Sequence, residues 1–339
     1  MRGGGGRLRR PGHLRGRHRM IVVPDDFPSV FEGSVAHDRL KKAGDVAVFT
    51  ERGADNEQEL VRRIGRAQVA INIRAHARFS DGVFSACPGL KLVSVWGTGT
   101  DNIDLNAAGM RGVTVCNTPG VNAFAVAEHA LTLMLAVGRK ITTLDAEMRK
   151  NKWPRELLTQ LHGKTLGVFG MGTIGARVAA LGKAIGMEVL GWSAQGDQGR
   201  IRAAGAAPAS KEDILARADV VSLHVRLSPE TRGFLGKKEL AAMKPTAILV
   251  NTGRGALVDR EALLGALKER KIMGAGLDVF HQEPLATDDP ILSLPNVIVS
   301  PHNAGQTAEV IRDGLLRAVE NVEHFLAGEP KDLVVAPAK

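Results

Sequence analysis

From Met20 onward, short runs rich in Val, Ile and Leu alternate with stretches whose apolar residues recur at helical spacing. Short apolar runs bounded by Gly, Pro, Asn or Asp read as strands buried on both faces. The amphipathic stretches between them read as helices that cover a parallel sheet. The first series has strands at Met20–Val23, Val46–Thr50, Val69–Ile73, Leu92–Val95 and Val113–Asn117, with helices at Phe31–Ala43 and Glu57–Gly65. After Pro119 comes a long apolar helix, Asn122–Arg139, in a reading that extends to Lys150. The second series has strands at Leu166–Phe169, Glu188–Trp192, Val220–Val225, Ala247–Asn251, Gly276–Val279 and Val297–Ser300. Ala308–Leu326 reads as a last helix, stopped by Gly328-Glu-Pro330.

The second series opens on Thr165-Leu-Gly-Val-Phe-Gly-Met-Gly-Thr-Ile-Gly-Ala-Arg-Val-Ala179, which sets Gly170, Gly172 and Gly175 in a G-x-G-x-x-G pattern between a strand and an Ala-rich helix. Such a turn needs its first glycine for the tight bend, its second for backbone approach to a pyrophosphate, and its third for close helix–strand packing. The helix N-terminus then offers N–H groups and a positive dipole to the phosphates. The pattern in this context implies a bound dinucleotide. Because it begins halfway along the chain, the simplest plan inserts a cofactor domain, 119–300, into a substrate domain made of 20–118 and 301–339.

Composition narrows the picture further. At 339 residues, 44% hydrophobic and 24% charged, the chain has an ordinary globular make-up, and no apolar run reaches the length of a membrane span. The net charge of +9 is misleading. Seven arginines and no acidic residue fall in residues 1–19, so the remainder is nearly balanced and offers no broad phosphate-binding face for nucleic acid. That Arg/Gly-rich leader lacks the apolar core of a secretory signal and is expected to be disordered. Cys87 and Cys116 are isolated, which fits buried thiols in a reducing, cytoplasmic setting and argues against a metal site.

Three further segments place polar groups at strand ends. Val250-Asn-Thr-Gly-Arg-Gly255 puts Arg254 in a Gly-rich loop; Leu277-Asp-Val-Phe-His-Gln-Glu-Pro284 puts Asp278 inside an apolar strand and Glu283 after it; Val299-Ser-Pro-His-Asn-Ala-Gly305 supplies His302. Singly, each has a plain structural alternative: Arg254 as a cap or a partner of Glu261, His302 as a satisfied loop histidine. An unpaired Asp in an apolar strand is costly and asks for a ligand or cap. Together they match the reduction of a 2-oxo acid. A planar guanidinium holds carboxylate and carbonyl oxygens, an imidazole gives or takes the proton, and Glu283 orients that imidazole and favours its charged form.

These segments resemble the D-isomer-specific 2-hydroxyacid dehydrogenase family. The likeness extends over nearly all of 20–335 and includes Gly97-Thr-Gly-Thr-Asp-Asn-Ile-Asp104, Asn117-Thr-Pro-Gly-Val-Asn122, Val126-Ala-Glu-His129, Leu223-His224, Ser228-Pro-Glu-Thr-Arg-Gly233, Asn251–Asp259 and Ser300–Gly305. The resemblance implies two doubly wound parallel-sheet domains, a Rossmann cofactor domain inserted in a flavodoxin-like substrate domain. It implies catalysis by Arg254, Glu283 and His302, and NAD(P) contacts from Gly170, Gly172, Thr173, Ile174, Gly175, Ser193, His224, Thr252, Gly253, Arg254, His302 and Gly305. It assigns Asp278 to the cofactor carboxamide and backbone N–H groups near Thr98 and Gly99 to the substrate carboxylate. Arg74 resembles a substrate-facing arginine, and the usual partner is a second copy docked through the long helix after Pro119. The substrate is a small 2-oxo or D-2-hydroxy acid of the 3-phosphoglycerate, glycerate/hydroxypyruvate or glycolate/glyoxylate type.

The chain also departs from the pattern. Glu188-Val-Leu-Gly-Trp-Ser193 ends without the acidic residue expected to accept from the ribose 2′-OH, and Asp197 lies four residues beyond Ser193. Without that charge, Ser193 and Arg200 or Arg202 favour a 2′-phosphate, and NADP(H) is expected to be accepted, up to a preference for it. Arg226 adds a positive charge where the family usually has proline. Trp96 either narrows the substrate site or packs in the core, and the chain ends soon after Val335, short of the C-terminal regulatory domain of some relatives. The competing reading is a dinucleotide-sensing corepressor on the same fold.

Overall fold

A computed structural model describes residues 19–73 and 77–337; the leader through residue 18 and the Arg74 position lie outside them. The chain forms two compact units, one that runs to Asn122 and resumes at Thr307, and one that spans Ala123–Gln306.

The first unit contributes β1 (Met20–Val23), β2 (Asp45–Val48), β3 (Val69–Asn72), β4 (Leu92–Val95) and β5 (Thr114–Cys116). The second contributes β6 (Thr165–Phe169), β7 (Glu188–Trp192), β8 (Ala207–Pro208), β9 (Val220–Leu223), β10 (Ile248–Asn251), β11 (Gly274–Leu277) and β12 (Val297–Val299). The chain returns to the first unit for β13 (Leu333–Val335). The sheet orders are β13-β5-β4-β3-β1-β2 and β12-β11-β10-β9-β6-β7-β8. Every pairing is parallel except β13 with β5. The first order is the flavodoxin type with one antiparallel edge strand, and the second is the dinucleotide-binding type.

Sequence dictates much of this locally. β3, β4, β9, β10 and β11 are buried at every position, as strands covered on both faces must be. The crossover helices of the first unit start at side-chain caps: Ser34, Asn56, Ser80 and Asp104 accept from the N–H groups of His37, Glu59, Val83 and Ala107. Two of those helices, Asp81–Ala86 and Leu105–Met110, escape a reading by apolar period because one and a half turns hold too few repeats. In the second unit the helix Ala123–Gly138 lies over β11, and the strand's glycines make room for it. A Cβ on Gly276 would sit 2.7 Å from the Leu133 Cβ.

Several expected boundaries move. The long helix does not continue to Lys150: Lys140 takes a left-handed conformation, φ 50°, and a separate helix, Ile141–Met148, follows. β11 begins two residues earlier than expected and ends at Leu277, so Asp278 lies just past the strand. The unit junctions fall at 122/123 and 306/307, which assigns the His302 loop to the second unit. The reason is physical: Asp278 ties that loop down, as described below. Trp96 packs against Gly314 of the helix Ala308–Leu326, where a Cβ would lie 2.1 Å from the indole nitrogen.

Candidate active site

The strand order of the second unit reverses between β6 and β9, and at that switch point an open α/β sheet leaves a crevice for a ligand. The three glycines there have separate steric reasons. Gly170, φ 95°, lies so close to β9's exit that a Cβ would sit 2.4 Å from the His224 carbonyl oxygen. At Gly175 a Cβ would fall 1.9 Å from the Gly170 oxygen. Gly172, the N-cap of the helix Thr173–Ala184, faces open space, with nothing within 4 Å of an added Cβ. Thr173 and Ile174 open that helix, so their N–H groups have no carbonyl to bond within it.

A dinucleotide fits these features. The open side of Gly172 admits a pyrophosphate, and the Thr252 hydroxyl at the end of β10 is buried without a partner inside the protein. Gly253 beside it donates its N–H to Asn251 Oδ1 at 3.0 Å, which fixes the loop. His224 hydrogen-bonds Ser222 Oγ at 2.8 Å, and burial lowers its pKa from the ordinary 6.5 to about 4, so it is neutral. At the far end, Ser193 is half-buried after β7. The Asp197 carboxylate is turned to cap the next helix, accepting from the Arg200 N–H at 2.9 Å. Arg200, Arg202 and Arg226 are exposed, and Arg202 reaches Gln198 Oε1 at 3.1 Å.

The chemistry-bearing groups follow three adjacent strands, β10, β11 and β12. His302 Nδ1 lies 2.6 Å from Glu283 Oε2, and the other oxygen of Glu283 accepts from the Phe280 N–H at 2.9 Å. Burial raises the pKa of Glu283, but the hydrogen bond and charge of His302, the Phe280 N–H and the charge of Arg254 outweigh it and hold it below the usual carboxylate value. An ionised carboxylate only accepts, so Nδ1 carries the proton in this contact and Nε2 is left for exchange. Arg254 is half-buried in the loop after β10, where its guanidinium donates to the Gly253 carbonyl at 2.8 Å. Glu261, its alternative partner in the sequence, pairs instead with Arg260 at 2.6 Å.

Asp278 meets the expectation of a ligand or a cap from within the protein. It is fully buried, and its carboxylate accepts from Ser300 Oγ at 2.6 Å, the Asn303 N–H at 3.0 Å and the Ala304 N–H at 3.0 Å. Its oxygens hold the loop before Gly305. His129, which sequence reasoning placed only within a family segment, reaches Ser300 Oγ at 2.8 Å. Its signal was its position in Val126-Ala-Glu-His129, without any hint of its partner.

Thr98 and Gly99 belong to the first unit, exposed in the turn after β4. That turn is fastened by Gly97 N–H to Thr118 Oγ1 at 2.7 Å and by Asn117 Nδ2 to the Thr98 carbonyl at 2.8 Å. Arg74 lies outside the described residues. Among the described residues no cluster of three His, Cys, Asp or Glu is arranged to hold a metal, and no helix is long and apolar enough to cross a membrane. Cys87 and Cys116 are buried free thiols, Cys116 pushed up to about 11 by burial and the nearby Asp332 charge.

Sheet order and glycine turn together define an α/β protein of the dinucleotide-binding class. The family model for the D-isomer specific 2-hydroxyacid dehydrogenase NAD binding domain matches residues 131–304. A glyoxylate reductase of Aeropyrum pernix is 38% identical over 94% of this chain and 96% of its own length. A D-3-phosphoglycerate dehydrogenase of Archaeoglobus fulgidus is 37% identical over 87% of this chain, which spans 56% of that relative. A solved structure of an acyclic imino acid reductase in complex with NADPH and D-Arg superposes with a TM-score of 0.85 at 30% identity, covering 93% of this chain and 100% of that one. The chain belongs to the D-isomer-specific 2-hydroxyacid dehydrogenase family and is a nicotinamide-dependent oxidoreductase of that class.

Proposed function

We propose that the protein reduces a small 2-oxo acid to its D-2-hydroxy acid, of the glyoxylate/hydroxypyruvate or 3-phosphohydroxypyruvate kind, with His302 as general acid. The observation that carries this is the 2.6 Å contact between His302 Nδ1 and an ionised Glu283, which leaves Nε2 to deliver the proton. When bound, the nicotinamide supplies the hydride in reduction and takes it in oxidation. Arg254 holds the substrate carboxylate and carbonyl oxygens. Thr173, Ile174, Thr252 and Gly253 hold the cofactor. The glyoxylate reductase that matches over nearly its whole length favours the short-tailed end of the substrate range. The test is a panel of 2-oxo acids with NADH and NADPH side by side. No turnover on any of them, with cofactor bound, overturns the reading.

We further propose that NADP(H) is accepted and preferred. Support comes from the missing carboxylate after β7, the commitment of Asp197 to a helix cap, and the exposed Arg200 and Arg226. The relative in complex with NADPH carries a phosphate of this kind on the same fold. We also propose a homodimer through the segment after Pro119. Phe124, Ile141, Met148, Trp153 and Leu157 are exposed by 63, 55, 45, 72 and 95%, an apolar set that a second copy of the chain would cover. A monomeric mass in solution at micromolar concentration rules the dimer out.

A further inference from the structure

We propose that His129, Ser300 and Asp278 form a relay that holds the backbone of His302, so that His129 and Ser300 are positioning residues for the acid. The inference rests on the reading of His302 as that acid. His302 adopts a left-handed conformation, φ 52°. A residue other than glycine keeps that conformation only where its surroundings over-determine it. Here one aspartate does so from both sides. The Asp278 carbonyl accepts from the His302 N–H at 2.8 Å, while its carboxylate accepts from Ser300 before the histidine and from the Asn303 and Ala304 N–H groups after it. A turn of His302 into the common φ region would break these bonds and swing the imidazole off Glu283.

The direction of the outer link follows from proton count. Ser300 has one hydroxyl hydrogen and gives it to the Asp278 carboxylate at 2.6 Å. At the 2.8 Å contact the serine oxygen therefore accepts, and His129 Nε2 carries the hydrogen. The same nitrogen lies 3.6 Å from Asp278 Oδ1, so the imidazole edge also faces the buried charge. His129 comes from the helix Ala123–Gly138, which packs over β10, β11 and β12. The relay thus ties the catalytic loop to a helix packed over three strands of its unit. A buried carboxylate with three donors is a stable anchor, because each bond to an ionised acceptor is stronger than one between neutral groups.

Steady-state kinetics on the full chain test this, with cofactor affinity measured separately by quenching of tryptophan fluorescence with NADPH. Ser300→Ala and His129→Ala are expected to lower kcat for reduction at least tenfold while the cofactor Kd moves less than threefold. His129→Gln, which keeps a side-chain N–H at similar reach, is expected to recover activity to within about threefold of the unaltered protein. Unchanged kcat in both alanine variants overturns the proposal, as does a loss of cofactor affinity that matches the loss of kcat, which would return Asp278 to the cofactor. An equal loss in His129→Gln also overturns it. If Ser300→Ala melts below the assay temperature, the His129 pair decides alone. His302→Gln is run in parallel: full activity there defeats the acid assignment itself, whereas an inactive His302→Gln beside normal Ser300→Ala and His129→Ala defeats only the relay.

Discussion

Two loops at the same edge of the second sheet are built in opposite ways. The one after β12 is tied to Asp278 through Ser300, His302, Asn303 and Ala304, so the imidazole proposed as the acid sits on a backbone with little freedom. The one after β7 runs exposed from Ala194 to Asp197 and is closed by a turn from Ser193 to Gly196 and one helix cap. Chemistry requires reacting atoms fixed to within fractions of an ångström, because misplacement is charged to the barrier. Recognition of a ribose substituent tolerates a surface loop, since charge acts over several ångströms. The same contrast tells which loop a substitution retunes and which it disables.

The largest effect should follow from the fixed loop. His302→Gln is expected to lower kcat for reduction by about 10²- to 10⁴-fold, the usual contribution of a positioned acid. NADPH affinity should stay within a few-fold, measurable by fluorescence titration. A variant that keeps a tenth or more of the activity would break the comparison at its root. Next come the glycines of the turn, which separate packing from ligand approach. Gly175→Ala forces a Cβ to within 1.9 Å of the Gly170 oxygen, and should cost about 1–3 kcal/mol of unfolding free energy. Gly172→Ala meets open space, so it should leave the urea midpoint nearly unchanged while weakening the cofactor. Equal melting of the two variants would show that the turn has no ligand-facing side.

The exposed loop should respond in degree only. Ser193→Asp restores a carboxylate that accepts from a ribose hydroxyl and repels a 2′-phosphate. The ratio of kcat/KM for NADPH over NADH should fall about 10- to 100-fold, in keeping with a hydrogen bond to a charged group worth about 1.5–3 kcal/mol. Turnover with the better cofactor should change little. If the unaltered protein already favours NADH tenfold, the missing carboxylate has been overread.

The fold was largely legible because continuous apolar runs and a glycine turn are local signals. β1, β4 and β7 have the bounds their apolar runs predict. β13 was not legible: three residues that pair antiparallel across more than two hundred positions carry no periodicity of their own. For the site, residue type and strand-end placement brought Glu283 and His302 onto one short list, and they lie in contact. What spacing could not supply was the far side of each group. For Asp278, a lone acid beside an apolar strand asked for a ligand or a cap, and the cap the structure shows includes N–H groups on a loop more than twenty residues away. His129 was invisible as a partner of Ser300, since 171 residues separate them.

The smallest effect sharpens the comparison from the cofactor side, at His224 beside the glycine turn. Burial lowers this imidazole from 6.5 to about 4 in the folded protein, while an unfolded chain restores the ordinary value. Above about 6.5 both states are neutral there, and the group adds nothing to pH dependence. Between about 6.5 and 4 the unfolded chain holds more protons, so stability falls as pH falls, and below about 4 this contribution levels off. Because the residue as a whole is only half-buried, the loss should be held to about 1–2 kcal/mol rather than the full value of the shift. Calorimetric Tm values taken across that window should drop with acid in the unaltered protein and drop less in His224→Gln, which keeps a hydrogen bond to Ser222 without a titrating ring. Parallel acid curves for the two proteins would mean that the histidine charges freely when folded and that the turn beside it is open to water.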